Sequence, residues 1–208
     1  MADRGVLRRE RRQVGYGVVL LMGIFALGAL TVPTLGEAAG PWKAQIVDQE
    51  TKKPLGGVVV LAVWYRRYAS PGGWAGGGYY GSEEVVTGPD GRFVIPARWT
   101  FTFLPFLTTI KGPSFHIFKP GYGQWRFQGA DTWEYWERAD RASAAWAQLE
   151  AGGAVMELPP LRTRKERREF LSYASPPGDV PAASMPRYLE TIDGERVFVG
   201  FQPLRRRQ

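Results

Sequence analysis

The sequence has no cysteine and a single histidine, His116. Without cysteine the chain has no disulfide, no thiol nucleophile, no lipid attached through a cysteine and no cysteine-bound metal. A peptidase-type zinc site needs two histidines and a glutamate on the metal, and a second glutamate to activate water. The composition excludes that chemistry, and we predict no metal and no cofactor.

Acidic residues are fewer than basic ones, with 20 Asp and Glu against 27 Lys and Arg and a net charge of +7. The basic residues cluster before residue 13 and after residue 160. Nucleic-acid binding favours a basic surface combined with stacking aromatics on one element. Because this chain separates the two, we predict no nucleic-acid partner.

Residues 14–35 contain no charged side chain, and an arginine-rich stretch precedes them directly. This is the pattern of an export signal, and Gly36 and Ala38 suit a cut after Ala38. A run of ~20 apolar residues is also long enough to span a bilayer. We therefore predict that residues 1–40 are a signal peptide or an uncleaved signal anchor. In both cases the body is outside the cytoplasm, as a periplasmic, cell-surface or membrane-anchored domain.

The body is rich in glycine and proline, with 26 and 16 residues, and in β-branched and aromatic side chains. This combination predicts short strands joined by tight turns. Polar turns at 49–57 and 88–91 are predicted to close two hairpins, and residues 70–81 are predicted to be a glycine-aromatic loop. We expect strands at residues 42–48, 58–65, 83–87, 92–96, 114–119 and 154–158.

Three blocks of this body carry a family resemblance. Val47-Asp48 with residues 51–58 resembles the opening of the carboxypeptidase regulatory-like domains, and residues 87–96 and 119–122 are similar to two later blocks. The resemblance implies a mainly β, prealbumin-like (transthyretin-like) fold over residues 41–160: a seven-stranded Greek-key β-sandwich. It implies no catalysis, because such domains accompany enzymes, transporters and surface proteins as folding or docking modules. Fold alone does not give function.

Two capping patterns predict helices outside the strands. Asp131 and Glu134 have capping-box spacing, which predicts a helical insertion over residues 132–149 ended by Gly152-Gly153. Thr163 and Glu166 predict a second helix over 164–174. In the C-terminal part, residues 161–208, we further expect a proline-rich linker at 175–186, a short ordered piece and a frayed tail.

The remaining polar candidates favour structural roles over catalysis. His116 lies in the middle of a predicted strand with no nucleophile pattern nearby. Glu83 and Glu84 are neighbours on a strand and therefore point to opposite faces. Three acids at helical spacing have arginines nearby, which indicates a solvated helix face rather than a calcium site: Asp131, Glu134 and Glu137.

Flat aromatics beside arginines form the candidate recognition site. Such side chains bind sugars or partner proteins, and the alternative is that they pack over a sheet edge. Trp74 and Tyr79, in the glycine-rich loop, are expected to be largely exposed. The apolar run 99–107 is a third option, which covers a sheet edge or touches a membrane surface or a partner. The candidate residues are Tyr65, Arg66, Arg67, Tyr68, Trp74, Tyr79, Tyr80 and Trp99.

These features together predict a non-catalytic extracytoplasmic β-sandwich module that docks or scaffolds an envelope-associated complex. One alternative is a carbohydrate- or peptidoglycan-binding module that uses the aromatic loop, and a weaker one is an enzyme of unknown class. The expected partner is an envelope protein or a cell-wall glycan. The membrane is a further partner, through the N-terminal helix, if that helix is not cleaved.

Overall fold

The computed structural model describes residues 37–100, 102, 106–128 and 139–204, which fall in one compact unit, Gly36–Gln208. The predicted export signal up to residue 36 and the acids Asp131, Glu134 and Glu137 lie outside the described residues. The helices are α1 (Ala139–Glu150), α2 (Arg164–Tyr173) and α3 (Pro186–Val199). The strands are β1 (Glu37–Ala39), β2 (Trp42–Asp48), β3 (Val59–Ser70), β4 (Gly73–Val86), β5 (Arg92–Ile95), β6 (Arg98–Thr100), β7 (Thr108–Phe118), β8 (Arg126–Phe127) and β9 (Ala154–Leu158).

Two main sheets organise the body. One has the strand order β5-β2-β9-β8 and the other β4-β3-β7, while β1 and β6 form a separate pair. The ladder between β2 and β9 is parallel, and the other ladders of these sheets are antiparallel. With about 42% strand against 23% helix, the prediction of a mainly β fold with two sheets is confirmed. Within the described residues, the helices are too short or too polar to cross a membrane.

The first half of β3 is buried on both faces and is an unbroken apolar run from Val59 to Trp64. Val60, Ala62 and Trp64 face the core between the two sheets, together with Ile46 and Met156. The alternate residues of β3 face a second core beneath the C-terminal helices, whose other members include Phe170, Leu189 and Ile192. Each fully buried side chain of this size contributes roughly 1.5–3 kcal/mol. The body is therefore layered as sheet, sheet and the C-terminal helices α2 and α3.

Both predicted hairpins are wrong. β2 and β3 lie in different sheets, and β4 pairs with β3 whereas β5 pairs with β2. The two polar turns therefore cross between the sheets. Thr87 holds them together, because its hydroxyl donates to the Leu55 carbonyl at 2.7 Å and accepts from the Val58 amide at 3.0 Å. A turn pattern indicates where a chain reverses, but it does not say which strand the next segment joins.

The helical predictions are partly confirmed. Thr163 caps α2 with the predicted capping box: the Glu166 amide donates to the Thr163 hydroxyl, and the Glu166 carboxylate accepts from the Thr163 amide. The insertion contains α1 and ends with Gly152 at a φ of +81°, as expected. Its predicted start lies outside the described residues.

The predicted linker at residues 175–186 is wrong, because this segment packs on the three-stranded sheet. Val180 and Met185 are buried in the second core, and a 3-10 turn (Ala182–Ser184) leads directly into α3. Helix α3 replaces the short ordered piece that the sequence predicted. The β4 residue Glu84 caps it, since its carboxylate accepts from the Arg187 amide at 3.1 Å and the Tyr188 amide at 2.8 Å. A cap more than 100 positions away in the sequence leaves no local signal.

Candidate interaction site

β3 and β4 continue past both cores with the beginning of β7 as a three-stranded projection. We call this projection the arm and define it as residues 65–79 of β3 and β4 with residues 108–111 of β7. The prediction of a loop at 70–81 is therefore wrong. A tight turn at residues 71–72 connects the strands, Gly73 has a φ of +109°, and the Ser70 hydroxyl donates to the Gly73 carbonyl at 2.6 Å. The glycines that suggested a loop lie on β4, opposite the larger side chains of β3.

Strand pairing divides the arm into two faces. Tyr65 pairs with Tyr79 and with Lys111, and Trp74 pairs with Ala69. Paired residues share a face and alternate residues of a strand share it too. The face on the side of the C-terminal helices therefore carries Tyr65, Arg67, Trp74, Tyr79 and Lys111. The opposite face, on the side of the sandwich core, carries Arg66 and Tyr68, with Tyr80 just below it.

Tyr65 and Tyr79 are half-buried and fasten the C-terminal segment to the base of the arm. The Tyr79 hydroxyl shares a 2.9 Å hydrogen bond with the Ser82 hydroxyl, which donates to the Ser184 carbonyl at 2.8 Å. Burial raises the pKa of Tyr65, and its hydrogen bond and proximity to the Asp179 carboxylate raise it further. The expectation that Tyr79 is largely exposed is therefore wrong, because its ring packs against the second core.

Tyr80 lies at the base of the opposite face within a cation–π cluster. The Arg98 guanidinium is 5.0 Å from the Trp64 ring and 5.8 Å from the Tyr80 ring, and Arg66 lies 5.7 Å from Tyr80. Gly81 makes this stacking possible, since a Cβ there would be 2.5 Å from an Arg98 nitrogen. Tyr80 is half-buried against the sandwich core. It therefore belongs to the support of the arm rather than to its free surface.

The other candidate residues are exposed, on the arm and, for Trp99, on β6. Tyr68 is 46% exposed, Trp74 is 45% exposed as expected, and Trp99 on β6 is 70% exposed. Arg66 and Arg67 are also exposed.

The structure brings two apolar residues of the run 99–107 to the end of the arm. The Leu107 carbonyl accepts from the Ala69 amide at 2.8 Å, next to the turn. Phe106 beside it is 70% exposed. The sequence offered these residues only as part of an apolar run. Lys111 was not selected from the sequence, although its place in the alternating pattern of β7 was a signal that could have identified it.

The arm is positively charged. No acidic residue lies between Glu50 and Glu83 or between Asp90 and Asp131. The arm strands contribute Arg66, Arg67 and Lys111, all exposed, and Asp179 reaches only the base at Tyr65. Clustered charge of one sign attracts partners of the opposite sign. The accessible arm thus combines aromatic faces with cationic donors.

The residues considered for catalysis lie in environments that indicate structural roles. His116 on β7 is partly buried, and its ring meets the Tyr188 ring edge-on at 6.5 Å. Burial lowers the pKa of His116, against an opposing effect of the Asp179 carboxylate. Glu84 caps α3, while Glu83 beside it is exposed. No group of three or more His, Asp or Glu side chains within the described ranges could hold a metal ion.

Comparison with known proteins adds no relative. No family model, no curated protein and no solved structure matches the chain. The resemblance to carboxypeptidase regulatory-like domains therefore stays a prediction. A function is therefore inferred from the chemistry of the arm.

Proposed function

We propose that this chain is a non-catalytic extracytoplasmic module that docks a partner protein of an envelope-associated complex through the arm. The observation that carries the proposal is the exposed aromatic and arginine surface of an arm that continues past both cores. We further propose that the body is a prealbumin-like Greek-key sandwich of the carboxypeptidase regulatory-like type. The four strands of one main sheet and the three of the other, seven together, support that assignment.

Arg67 and Trp74 form the centre of the proposed contact. Both are exposed and share the face of the arm on the side of the C-terminal helices. Arginine and tryptophan are enriched among the few interface residues that dominate binding energy, and losing one typically costs ~2 kcal/mol or more. That corresponds to roughly a thirtyfold weaker complex. Arm residues 65–79 and 108–111 include no acidic residue, which favours a partner with an acidic surface.

A cell-wall glycan is the second candidate, because Tyr68 and Trp74 present half-exposed rings on which a sugar could stack. Sugar hydroxyls also need hydrogen-bond acceptors, yet residues 66–78 contain no Asp, Glu, Asn or Gln. The arm is therefore better suited to an acidic protein than to a neutral polysaccharide.

The test compares two variants of the full-length tagged chain. In Arg67→Ala/Trp74→Ala both replaced side chains are exposed, so the free energy of unfolding should change by less than about 1 kcal/mol. The control Tyr173→Ala removes another exposed aromatic residue, from α2, where Tyr173 is 70% exposed. After mild solubilisation of the envelope, we expect the wild type and the control to retain the same partner protein and the double variant to lose it.

The same experiment separates the alternatives. Equal retention by the double variant would place the docking surface elsewhere and contradict the proposal. Loss of a co-purifying cell-wall polymer instead of a protein would favour the glycan-binding function. A strong loss of stability in the double variant would mean that the arm packs against the body instead of binding a partner.

A further inference from the structure

Arg66 lies on the face of the arm that the proposed contact of Arg67 and Trp74 does not use. It pairs with Gly78 on β4 and with Ile110 on β7, so these three residues share that face. Gly78 has no side chain. Among the residues that the structure describes, no atom beyond its chain neighbours would lie within 4 Å of a Cβ built there. The exposed Arg66 side chain therefore borders an open space above Gly78, which we call the notch.

A second guanidinium lies close to the notch. The Arg66 guanidinium is 5.7 Å from the centre of the Tyr80 ring, and the Arg98 guanidinium is 5.8 Å from the same point. Arg98 is held in place by stacking on the Trp64 ring at 5.0 Å, in the room that Gly81 leaves for it. The protein therefore keeps two positive charges beside one aromatic ring before any ligand binds.

These two arginines have no counter-charge in the part of the chain that the structure describes. Neither Arg66 nor Arg98 forms an ion pair there, and neither does Glu83, the acid that follows next along β4. Of its five N–H donors, Arg98 uses one, in a long 3.5 Å contact to the Ser82 carbonyl. Aromatic rings offset only part of a positive charge. Guanidinium donors that are left over in this way suit a carboxylate, which they bind through two parallel hydrogen bonds.

We propose that the notch binds a carboxylate from an acidic, extended segment of the partner protein, with Arg66 as the donor and Arg98 as a second positive charge nearby. The inference rests on the proposed function for the existence of a protein partner, but it uses the opposite face of the arm. An arm that is recognised on both faces inserts between two parts of its partner.

Two other occupants of the notch are less favoured. Pairing of two arms from two copies of this chain would bring arginine close to arginine, because residues 65–79 contain no acid. A free small anion would form an exposed ion pair, which contributes little by itself. A peptide segment can add contacts to the ring of Tyr68, which is 46% exposed on the same face. The acidic segment is therefore the occupant that the surface fits best.

The test measures binding of a rhodamine-labelled hexaglutamate peptide to the full-length tagged chain in mild detergent, by fluorescence anisotropy at constant ionic strength. Arg66→Gln and Arg67→Gln remove the same charge from adjacent positions on opposite faces, so Arg67→Gln is the matched control. Loss of the charged hydrogen bonds in Arg66→Gln should weaken binding roughly tenfold or more. The control should stay within about threefold of the wild type.

A second pair of variants fills the notch from within the chain. Gly78→Glu places a carboxylate directly across from Arg66, within reach of a cross-strand ion pair, whereas Gly78→Gln adds the same bulk without charge. Gly78 is not among the positive-φ glycines, so both variants should fold, which urea unfolding checks. We expect Gly78→Glu to weaken peptide binding as strongly as Arg66→Gln does, and Gly78→Gln to bind more tightly than Gly78→Glu.

Three results would overturn the inference. Equal weakening by Arg66→Gln and Arg67→Gln would mean that the peptide follows net charge rather than a site. Wild-type affinity in Gly78→Glu would place the bound carboxylate away from the notch. Displacement of the peptide by inorganic phosphate at the same concentration of negative charge would indicate a site for free anions. None of these results depends on whether Arg67→Ala/Trp74→Ala loses its partner, so failure of this inference is distinguishable from failure of the proposed function.

Discussion

Gly91 offers a quantitative test of how the two sheets are connected. Its φ is +70°, and a Cβ at this position would be 2.4 Å from the Ile46 carbonyl oxygen and 3.0 Å from the Leu55 amide nitrogen. In Gly91→Ala the left-handed conformation alone costs roughly 1–2 kcal/mol. Relieving the clash would also weaken two hydrogen bonds, Ile46 amide to Gly91 carbonyl at 2.8 Å and Leu55 amide to Ile46 carbonyl at 2.9 Å. At about 1 kcal/mol each, these bring the expected loss to about 3–4 kcal/mol.

The measurement is urea unfolding followed by tryptophan fluorescence, to which the buried Trp42 and Trp64 contribute. Gly153→Ala is the matched control, because an added Cβ there meets nothing within 4 Å and the residue is not among the positive-φ glycines. We expect the control to unfold within about 1 kcal/mol of the wild type. Gly91→Ala with wild-type stability, or an equal loss in both variants, would refute the described crossing between the sheets. Gly76 would not serve as a control, because its φ of +66° penalises alanine as well.

Two further predictions concern the C-terminal helices. Glu84→Gln should destabilise the chain by about 1–2 kcal/mol, because it removes the charge that caps α3. Glu83→Gln, at the exposed neighbouring position, should be neutral. Equal urea midpoints for the two variants would contradict the cap. Burial keeps the folded-state pKa of His116 below its ordinary value of about 6.5. As the pH falls, the unfolded chain therefore binds the proton first. Stability should be full above about pH 6.5 and decrease as the pH drops below it. The chain has no other histidine, so His116→Gln should remove most of the difference in unfolding free energy between about pH 7.5 and pH 5.5. If the difference persists in this variant, other groups cause it.

Local signals predicted the elements well where a residue acts on its own neighbours. The strand predicted at 42–48 has the observed bounds and the one predicted from Val58 begins within one residue of β3, although β3 extends five residues further than predicted. The capping box of Thr163 predicted α2 to within one residue. Gly91, which ends the turn at 88–91, has the positive φ that glycine accepts in tight turns. In each case the physical cause lies within a few residues of its effect.

The predictions that were wrong concern contacts between segments that are distant in the sequence. The turns at 49–57 and 88–91 look like hairpin turns, but the choice between pairing and crossing depends on which sheet buries more of the next strand. Helix α3 depends on Glu84 from β4, and the segment 175–186 is ordered because Val180 and Met185 find the outer face of β3. None of these partners is visible in the local sequence.

The candidate site shows the same limit. The sequence identified a group of aromatics and arginines, yet it could not separate those that support the arm from those that are free. Tyr65 and Tyr79 alternate onto the side where the C-terminal helices lie, whereas Tyr80 turns toward Arg98 on the other side. That separation depends on the bulge between Trp64 and Tyr65, where the register of β3 and β4 shifts by one residue. A one-residue shift changes which face a side chain occupies. No pattern in the glycine-rich segment indicated this shift.

β3 connects the core to the arm. From Val59 to Trp64 the strand is buried on both faces, and from Arg66 to Ala69 it is exposed. Substitutions in the buried half act on the free energy of unfolding, whereas those in the exposed half lose little burial energy. The arm is held mainly by its hydrogen-bonded pairing with β4 and β7, so it can adjust locally to a partner while the core stays folded. Because the register with β7 is unbroken from Tyr65 to Tyr68, this pairing fixes which side chains of β3 each face of the arm presents.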